Sequence, residues 1–168
     1  MAGSTRSRVR GDRRWGRGQR SDRKDPYRPV GKLAEPVVCP DCGAVYLKGR
    51  WQWAIAPEGA EQTRCEACHR IHDAFPAGTL TIRAALTDTE AQEVMALARH
   101  QEEAEKKDHP LNRIMAVDRP RPDEIVITTT DLHLPHRIAR AIERAHGGHT
   151  SAKFEKDGDT VRVEWRKD

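Results

Sequence analysis

Four cysteines arranged as two identical pairs are the residues of this chain best suited to chemistry. The pairs are Cys39-x-x-Cys42 and Cys65-x-x-Cys68, with 22 residues between them. Each pair can offer two thiolates from one turn, and two such turns can complete a tetrahedral four-sulfur site. Zinc suits four thiolates in a closed site without redox chemistry. The spacing therefore predicts one structural Zn²⁺ per chain, bound by all four cysteines.

Two other uses of the cysteines fit the pattern less well. Residues 65–69 match the attachment motif of c-type haem, but that use requires export and leaves Cys39 and Cys42 without a role. No apolar stretch follows the arginine-rich N-terminus, so we expect no secretory signal. A redox Cys-x-x-Cys normally opens a helix after a strand, whereas Pro40 and Gly43 flank the first pair here. A closed zinc site is favoured, and it leaves no open position for catalysis by the metal.

Charge is divided unevenly along the chain. The 168 residues carry a formal net charge of +4. Residues 1–32 hold nine Arg and two Lys against three Asp, a net charge of +8, and the remainder holds 19 basic and 23 acidic residues, a net charge of −4. The sequence therefore describes a slightly acidic body with a strongly basic N-terminal arm, a pattern typical of nucleic-acid binding.

The arm, residues 1–35, is expected to be disordered, because its Arg, Gly, Ser and Asp residues bury too little apolar surface to offset the entropy of ordering. A solubilising tail and a phosphate-binding arm both fit this composition. We favour binding, because Trp15 and Tyr27 could stack on bases between the cations. The candidate nucleic-acid-binding residues of the arm are Arg6, Arg8, Arg10, Arg13, Arg14, Trp15, Arg17, Arg20 and Arg23.

A second group of candidate residues surrounds the cysteine pairs. Trp51 and Trp53 share one face if this segment is a strand. We expect them to pack over the zinc ribbon or over its junction with the next helix, with a base-stacking platform as the alternative. His69 and His72 are expected at the surface, because four thiolates already complete the site. The basic candidates of this group are Lys48, Arg50, Arg64 and Arg70.

A third group lies on a predicted helix near the C-terminus. Arg137, Arg140 and Arg144 follow one another at steps of three and four residues, which places them on one helix face. A solvated face and contact with a phosphate backbone are both open for this stripe. The turn before the helix, residues 128–136, has no P-loop glycines, and we expect Thr130 or Asp131 to cap the helix there.

The predicted elements define an α+β protein in which a four-cysteine zinc ribbon is followed by a helix and a small β-α-β-β unit. The ribbon covers 36–86, with a strand or hairpin at 44–53 and a strand at 79–83, and the helix at 88–107 belongs to a connection over 87–118. A stiff linker is predicted at 119–123, at the start of the final unit (119–168). That unit has a strand at 124–130, a helix at 134–146, and strands at 151–156 and 160–165 joined by Asp157-Gly158.

The cysteine motifs resemble a known zinc module. Residues 39–43 and 65–71, followed by Pro76-Ala77-Gly78, resemble the N-terminal zinc domain of an archaeal and eukaryotic adaptor family that binds the large ribosomal subunit and serves its nuclear export. Residues 109–111, 113–115 and 128–135 resemble a family of short bacterial proteins that carry the same module. This resemblance implies a zinc module with a ribosome or RNA connection.

Several function classes are excluded or disfavoured by the sequence. No apolar run approaches the roughly 18 residues of a transmembrane helix, so we expect no membrane span. No nucleophile motif or paired catalytic carboxylate is evident, so neither an enzyme nor a small-molecule substrate is expected. We predict a zinc-stabilised RNA- or ribosome-binding protein of the cytoplasm. The alternatives are a DNA-binding, transcription-associated zinc ribbon and a protein-interaction adaptor whose tail only solubilises it.

Overall fold

The computed structural model describes residues 25–29, 31–155 and 159–168. The arm candidates from Arg6 to Arg23, with Trp15 among them, lie outside these ranges, as does the predicted turn at Asp157-Gly158. The described residues form a mixed α+β structure with three helices and two β-sheets, which confirms the predicted fold class at this level. No helix among them is both long and apolar enough to cross a membrane.

The first sheet and one helix form the part of the fold that carries the cysteines, hereafter the metal-binding module. Its elements are β1 (Val37–Val38), β2 (Val45–Leu47), β3 (Arg50–Gln52), β4 (Glu61–Gln62) and α1 (Glu66–Asp73). The strand order is β3-β2-β1-β4, with β1 and β4 parallel. The β2–β3 hairpin turns at Lys48 and Gly49, both at positive φ, and the Glu35 carboxylate accepts both of their amides at 2.8 Å. These strands are too short to be stable alone.

Helix α1 is not among the predicted elements. It has eight residues, fewer than an isolated helix needs in water. The fold stabilises it at both ends: Cys65 caps its N-terminus, and Ala74 ends it in the left-handed conformation at φ 51°. Its apolar surface is small, since the buried residues are Ala67, Cys68 and Arg70. The sequence of α1 therefore has too weak an apolar periodicity to predict a helix.

The second sheet forms the body of the protein. Its elements are β5 (Gly78–Arg83), α2 (Asp88–Asp108), β6 (Ile114–Arg121), β7 (Glu124–Thr129), α3 (Leu134–His146), β8 (His149–Phe154) and β9 (Val161–Arg166). The strand order is β6-β7-β5-β9-β8, so β5 is the central strand, antiparallel to β7 and parallel to β9. Leu80 and Ile82 of β5 are fully buried and pack in one core with Trp165 of β9. The strand predicted within the ribbon thus belongs to the body.

Residues 119–123 are not a linker, contrary to the prediction. Residues up to Arg121 belong to β6, and the chain turns at Pro122 and Asp123 into β7. β6 lies at one edge of the sheet. An edge strand tolerates proline because one of its sides forms no ladder hydrogen bonds, so Pro120 is compatible with the strand. The linker was predicted because Pro120 and Pro122 lie close together in this segment.

Other local predictions are confirmed. Helix α2 begins at Asp88, and Thr87 and Glu90 form a capping box at its N-terminus. Helix α3 spans residues 134–146 as predicted and buries Ile138 and Ile142 against the sheet. The strands β7, β8 and β9 lie within two residues of their predicted bounds. Each of these elements has its own capping or periodicity signal, which acts over a few residues.

Replacement of Gly78 by alanine is expected to destabilise the body. An added Cβ would lie 2.5 Å from Thr129 Oγ1 and 2.7 Å from the Asp131 carbonyl oxygen, closer than real Cβ atoms approach other heavy atoms. Overpacking of this kind costs roughly 1–3 kcal/mol, which urea denaturation can measure. Gly59→Ala is the control, because its Cβ meets nothing within 4 Å and only its φ of 77° is unfavourable. Equal stability of Gly78→Ala and the wild type would contradict the close packing at this position.

Candidate metal centre

The four cysteine side chains converge on one point. Their Sγ atoms all lie within 4.8 Å of one another, and Cys42 Sγ is 3.8 Å from Cys65 Sγ. A tetrahedral ion with zinc–sulfur bonds of about 2.3 Å requires neighbouring sulfurs about 3.8 Å apart. The side chains of Cys39, Cys65 and Cys68 are buried, and that of Cys42 is half-buried. This arrangement could hold one metal ion with little movement of the side chains.

The first cysteine pair lies on a tight turn after β1. The Cys39 amide donates to the Ala44 carbonyl at 2.8 Å, and the Gly43 amide donates to the Cys39 carbonyl at 2.9 Å. Gly43, the residue after the second ligand, has a φ of 79°, a conformation that glycine adopts readily. The turn thereby directs the Cys39 and Cys42 side chains to one side.

The second pair opens helix α1 and connects to the first. The Cys65 amide approaches Cys39 Sγ at 3.3 Å, and the Cys68 amide approaches Cys65 Sγ at 3.5 Å. Amide donors of this kind orient the sulfurs and favour their thiolate forms. The second pair lies at the start of a helix, a position that is also typical of redox-active Cys-x-x-Cys pairs. The four sulfurs nevertheless lie in one cluster, and none of the four cysteines forms a disulfide bond.

The thiols differ in how readily they lose their protons. Burial raises the pKa of Cys65. Burial also opposes ionisation of Cys39, but the amides of Cys65, Cys42 and Asp41 outweigh it and lower the pKa of Cys39 to about 7. A metal ion binds thiolates, so its binding must displace protons from the remaining thiols.

Arg113 contacts two of the four sulfurs, although it is not among the site residues predicted from the sequence. Its guanidinium approaches Cys68 Sγ at 3.5 Å through Nη1 and Cys65 Sγ at 3.6 Å through Nη2, while Nε donates to the Pro110 carbonyl at 2.7 Å. Four thiolates around a divalent ion carry a net charge of −2, which one guanidinium partly compensates. Arg113 precedes β6 and lies 45 residues from Cys68, so no local spacing could have revealed the contact.

The threonine-rich turn holds the Arg113 backbone in place. The Arg113 amide donates to Thr130 Oγ1 at 2.9 Å, and the Thr130 amide donates to the Arg113 carbonyl at 2.9 Å. Thr130 therefore does not cap α3. The N-cap position is His133, whose side chain makes no capping hydrogen bond. Asp131 Oδ2 instead accepts the amides of His133 at 2.7 Å and Leu134 at 3.0 Å, where the helix begins. The turn thus connects the body to the metal centre through Arg113.

The two tryptophans have different environments. Trp51 is 7% exposed, packs among the buried cysteines and meets Tyr46 edge to face with ring centroids 5.4 Å apart. This confirms the expected packing of Trp51 over the metal site. Trp53 is 42% exposed, and its Nε1 donates to the Lys106 carbonyl of α2 at 2.6 Å. Trp51 is therefore not available to stack on a base, and Trp53 retains an open part of its ring.

The basic residues near the cysteines do not form one surface. Lys48 and Arg50 are exposed, whereas Arg64 forms an ion pair with Asp41 at 2.5 Å. Arg70 is only 2% exposed, contrary to its predicted place on a nucleic-acid surface. Helix α1 directs its guanidinium inward, where Asp25 pairs with it. The exposed surfaces of His69 and His72 match the prediction.

The predicted basic stripe on α3 is present but partly compensated. Arg137 and Arg144 are exposed and Arg140 is half-buried. Arg137 pairs with Glu105 of α2 at 2.8 Å, and Arg140 pairs with Glu143 at 3.1 Å. Both pairs are only partly exposed, since the Glu105 side chain is 10% exposed and that of Glu143 is 26% exposed, so a phosphate group would have to compete with a carboxylate for each cation.

No protein-family model, curated protein or solved structure matches the chain. What the chain can bind therefore follows from its own residues. Among those that the structure describes, the four cysteines form the one cluster of three or more His, Cys, Asp or Glu side chains arranged to hold a metal ion. The division of charge between the N-terminal segment and the body is the second feature available to a ligand.

Proposed function

We propose that the protein is a zinc-stabilised RNA-binding protein whose partner is the ribosome or its rRNA. The division of charge carries this proposal. Residues 1–24 hold eight Arg and one Lys against two Asp, a net charge of +7, whereas the rest of the chain has a net charge of −3. Cations concentrated in one segment neutralise phosphates and release counterions, which favours binding to nucleic acid.

Zinc is the metal that best fits the four-cysteine centre. Four cysteine sulfurs within 4.8 Å of one another, three of them on buried residues, match the ligand set of structural zinc sites. Such an ion supplies folding free energy and leaves no coordination position for a substrate. We therefore assign the centre a structural role, and the binding function lies elsewhere in the chain.

Few of the candidate cations predicted outside residues 1–24 are free to contact RNA. Lys48, Arg50 and Arg144 are exposed, while Arg64, Arg137 and Arg140 each have a carboxylate partner. Residues 25–168 carry a net charge of −3, so this part of the chain as a whole does not attract phosphates. Contact with RNA should therefore begin at the N-terminal segment, with Trp15 able to add base stacking.

Ribosome and rRNA binding should depend steeply on salt and on residues 1–24. Six or more phosphate contacts weaken affinity by roughly 1,000-fold between 50 and 200 mM salt. We expect this loss for the full chain, and weak binding with a shallow salt dependence for a chain lacking residues 1–24. Filter binding with purified ribosomes and an rRNA fragment can measure both.

A variant with glutamine at the eight arginines of residues 1–24 is the matched control, since it keeps the length of the segment and removes its charge. It should behave like the deletion. Unchanged ribosome affinity after either change would overturn the role of the segment. Equal competition by duplex DNA would favour the transcription-associated alternative, and no binding to any nucleic acid would favour a protein-interaction adaptor.

A further inference from the structure

Residues 25–29, which directly follow the basic segment, dock onto helix α1 around one arginine. Arg70 Nη2 forms an ion pair with Asp25 Oδ1 at 2.8 Å. Its guanidinium carbon lies 4.6 Å from the centroid of the Tyr27 ring and 5.9 Å from that of Phe75. Its Nη1 donates to the Phe75 carbonyl at 3.2 Å. The guanidinium is thus enclosed by one carboxylate, two aromatic rings and a carbonyl group.

The docked segment has a defined conformation of its own. The Tyr27 amide donates to Asp25 Oδ1 at 2.9 Å, and the Arg28 amide donates to the Asp25 carbonyl at 3.0 Å. The Tyr27 hydroxyl donates to Asp73 Oδ2, at the end of α1, at 3.0 Å. Asp25 therefore shapes its own turn and binds Arg70 with the same carboxylate oxygen.

Arg70 favours this docking because it is buried. A buried guanidinium without a partner carries a large desolvation cost, which a carboxylate and ring faces offset. Among the described residues, Asp25 is the carboxylate that forms an ion pair with Arg70. Release of residues 25–29 would remove this partner and the Tyr27 ring together.

The metal centre controls the helix that presents Arg70. Cys65 caps α1 and Cys68 lies in its first turn, so two of the four ligands belong to the start of this helix. Arg70 follows Cys68 by two residues. Because α1 has eight residues and little helical stability of its own, loss of the ion should unfold α1. Residues 25–29 would then lose their contacts with Arg70.

We propose that Arg70 is a positioning residue that anchors the base of the basic N-terminal segment on α1, and that the four-cysteine centre maintains this anchor. The anchor determines where the basic N-terminal segment leaves the metal-binding module. It also reduces the conformational freedom that binding would have to remove. The anchor itself follows from the contacts of residues 25–29, and only its consequence for RNA rests on the proposed function.

Hydrogen exchange tests the anchor in the full, zinc-loaded chain. In Arg70→Met, the Tyr27 and Arg28 amides should exchange at least about tenfold faster, because the charged hydrogen bond that holds Asp25 is lost. Arg64→Met is the matched control, since its ion pair with Asp41 lies in the same module but does not contact residues 25–29. The control should leave both amides unchanged. Wild-type exchange in Arg70→Met would overturn the proposal.

Variants of the docked segment keep the test decisive if Arg70→Met fails to fold. Tyr27→Ala changes no residue of the module and should accelerate exchange of the Arg28 amide by a similar factor, with metal content unchanged. Tyr27→Phe keeps the ring over Arg70 and should restore most of the protection. Chelation of the metal should release the same amides in the wild type. Unchanged protection in Tyr27→Ala or after chelation would contradict the anchor or its metal dependence, respectively.

RNA affinity then separates the anchor from the proposed function. Tyr27→Ala should weaken ribosome binding severalfold while the salt dependence stays the same, because every cation of residues 1–24 is retained. A wild-type chain that does not bind RNA would contradict the proposed function and leave the exchange result intact. Unchanged affinity in Tyr27→Ala, with the amides released, would show that the anchor does not assist binding.

Discussion

Removal of the metal ion is expected to unfold the metal-binding module and leave the body folded. The module has strands of two or three residues, and its core consists of a few apolar side chains around Cys39, Cys65 and Cys68. Structural zinc sites contribute about 10–16 kcal/mol of apparent binding free energy at neutral pH, more than so small a core can replace. The body has a separate core that includes Leu80, Ile127 and Trp165 and contains no cysteine.

Hydrogen exchange with and without a chelator measures this effect region by region. Amides of α1 and β2 should lose protection, while those of β5 and β9 should keep it. Cys65→Ser should act like the chelator and lower the metal content well below one ion per chain. His72→Ser is the matched control, because His72 is an exposed residue of α1 outside the four-sulfur cluster. A module that stays protected without metal would contradict the structural role of the ion.

Replacement of Arg113 by glutamine is expected to weaken metal binding by about 10–100-fold, the usual effect of losing a partner of the metal ligands. The guanidinium contacts Cys65 and Cys68 and compensates part of the charge of the four thiolates. Glutamine keeps polarity but removes the charge and the fork of donors. Competition with a chromophoric chelator gives the affinity directly.

Two further variants separate charge from geometry at this position. Arg113→Lys keeps the charge without the planar fork, so its metal affinity should lie between those of the wild type and Arg113→Gln. Arg144→Gln removes an exposed cation from α3, away from the sulfurs, and should leave the affinity unchanged. Equal metal affinity in Arg113→Gln and the wild type would show that the contact does not stabilise the centre.

Features that depend on neighbours a few residues apart could be predicted from the sequence alone. The spacing of the cysteine pairs identified all four members of the metal cluster. The predicted start of α2 at residue 88 and the predicted bounds of α3 at 134–146 agree with the structure. Capping, turn and helix signals act over one or two turns of chain, so they are readable without knowledge of the fold.

The contacts between distant segments could not be predicted in this way and became apparent in the folded structure. The fold placed β5 at the centre of the second sheet, it paired the proline-containing strand β6 at the edge, and it brought Arg113 against the sulfurs. It also buried Arg70 under Asp25, although its residue type favours the surface. Strand pairing and charge pairing between distant segments depend on which surfaces the whole fold brings into contact. Local periodicity reports only on residues a few positions apart, so it cannot predict these contacts.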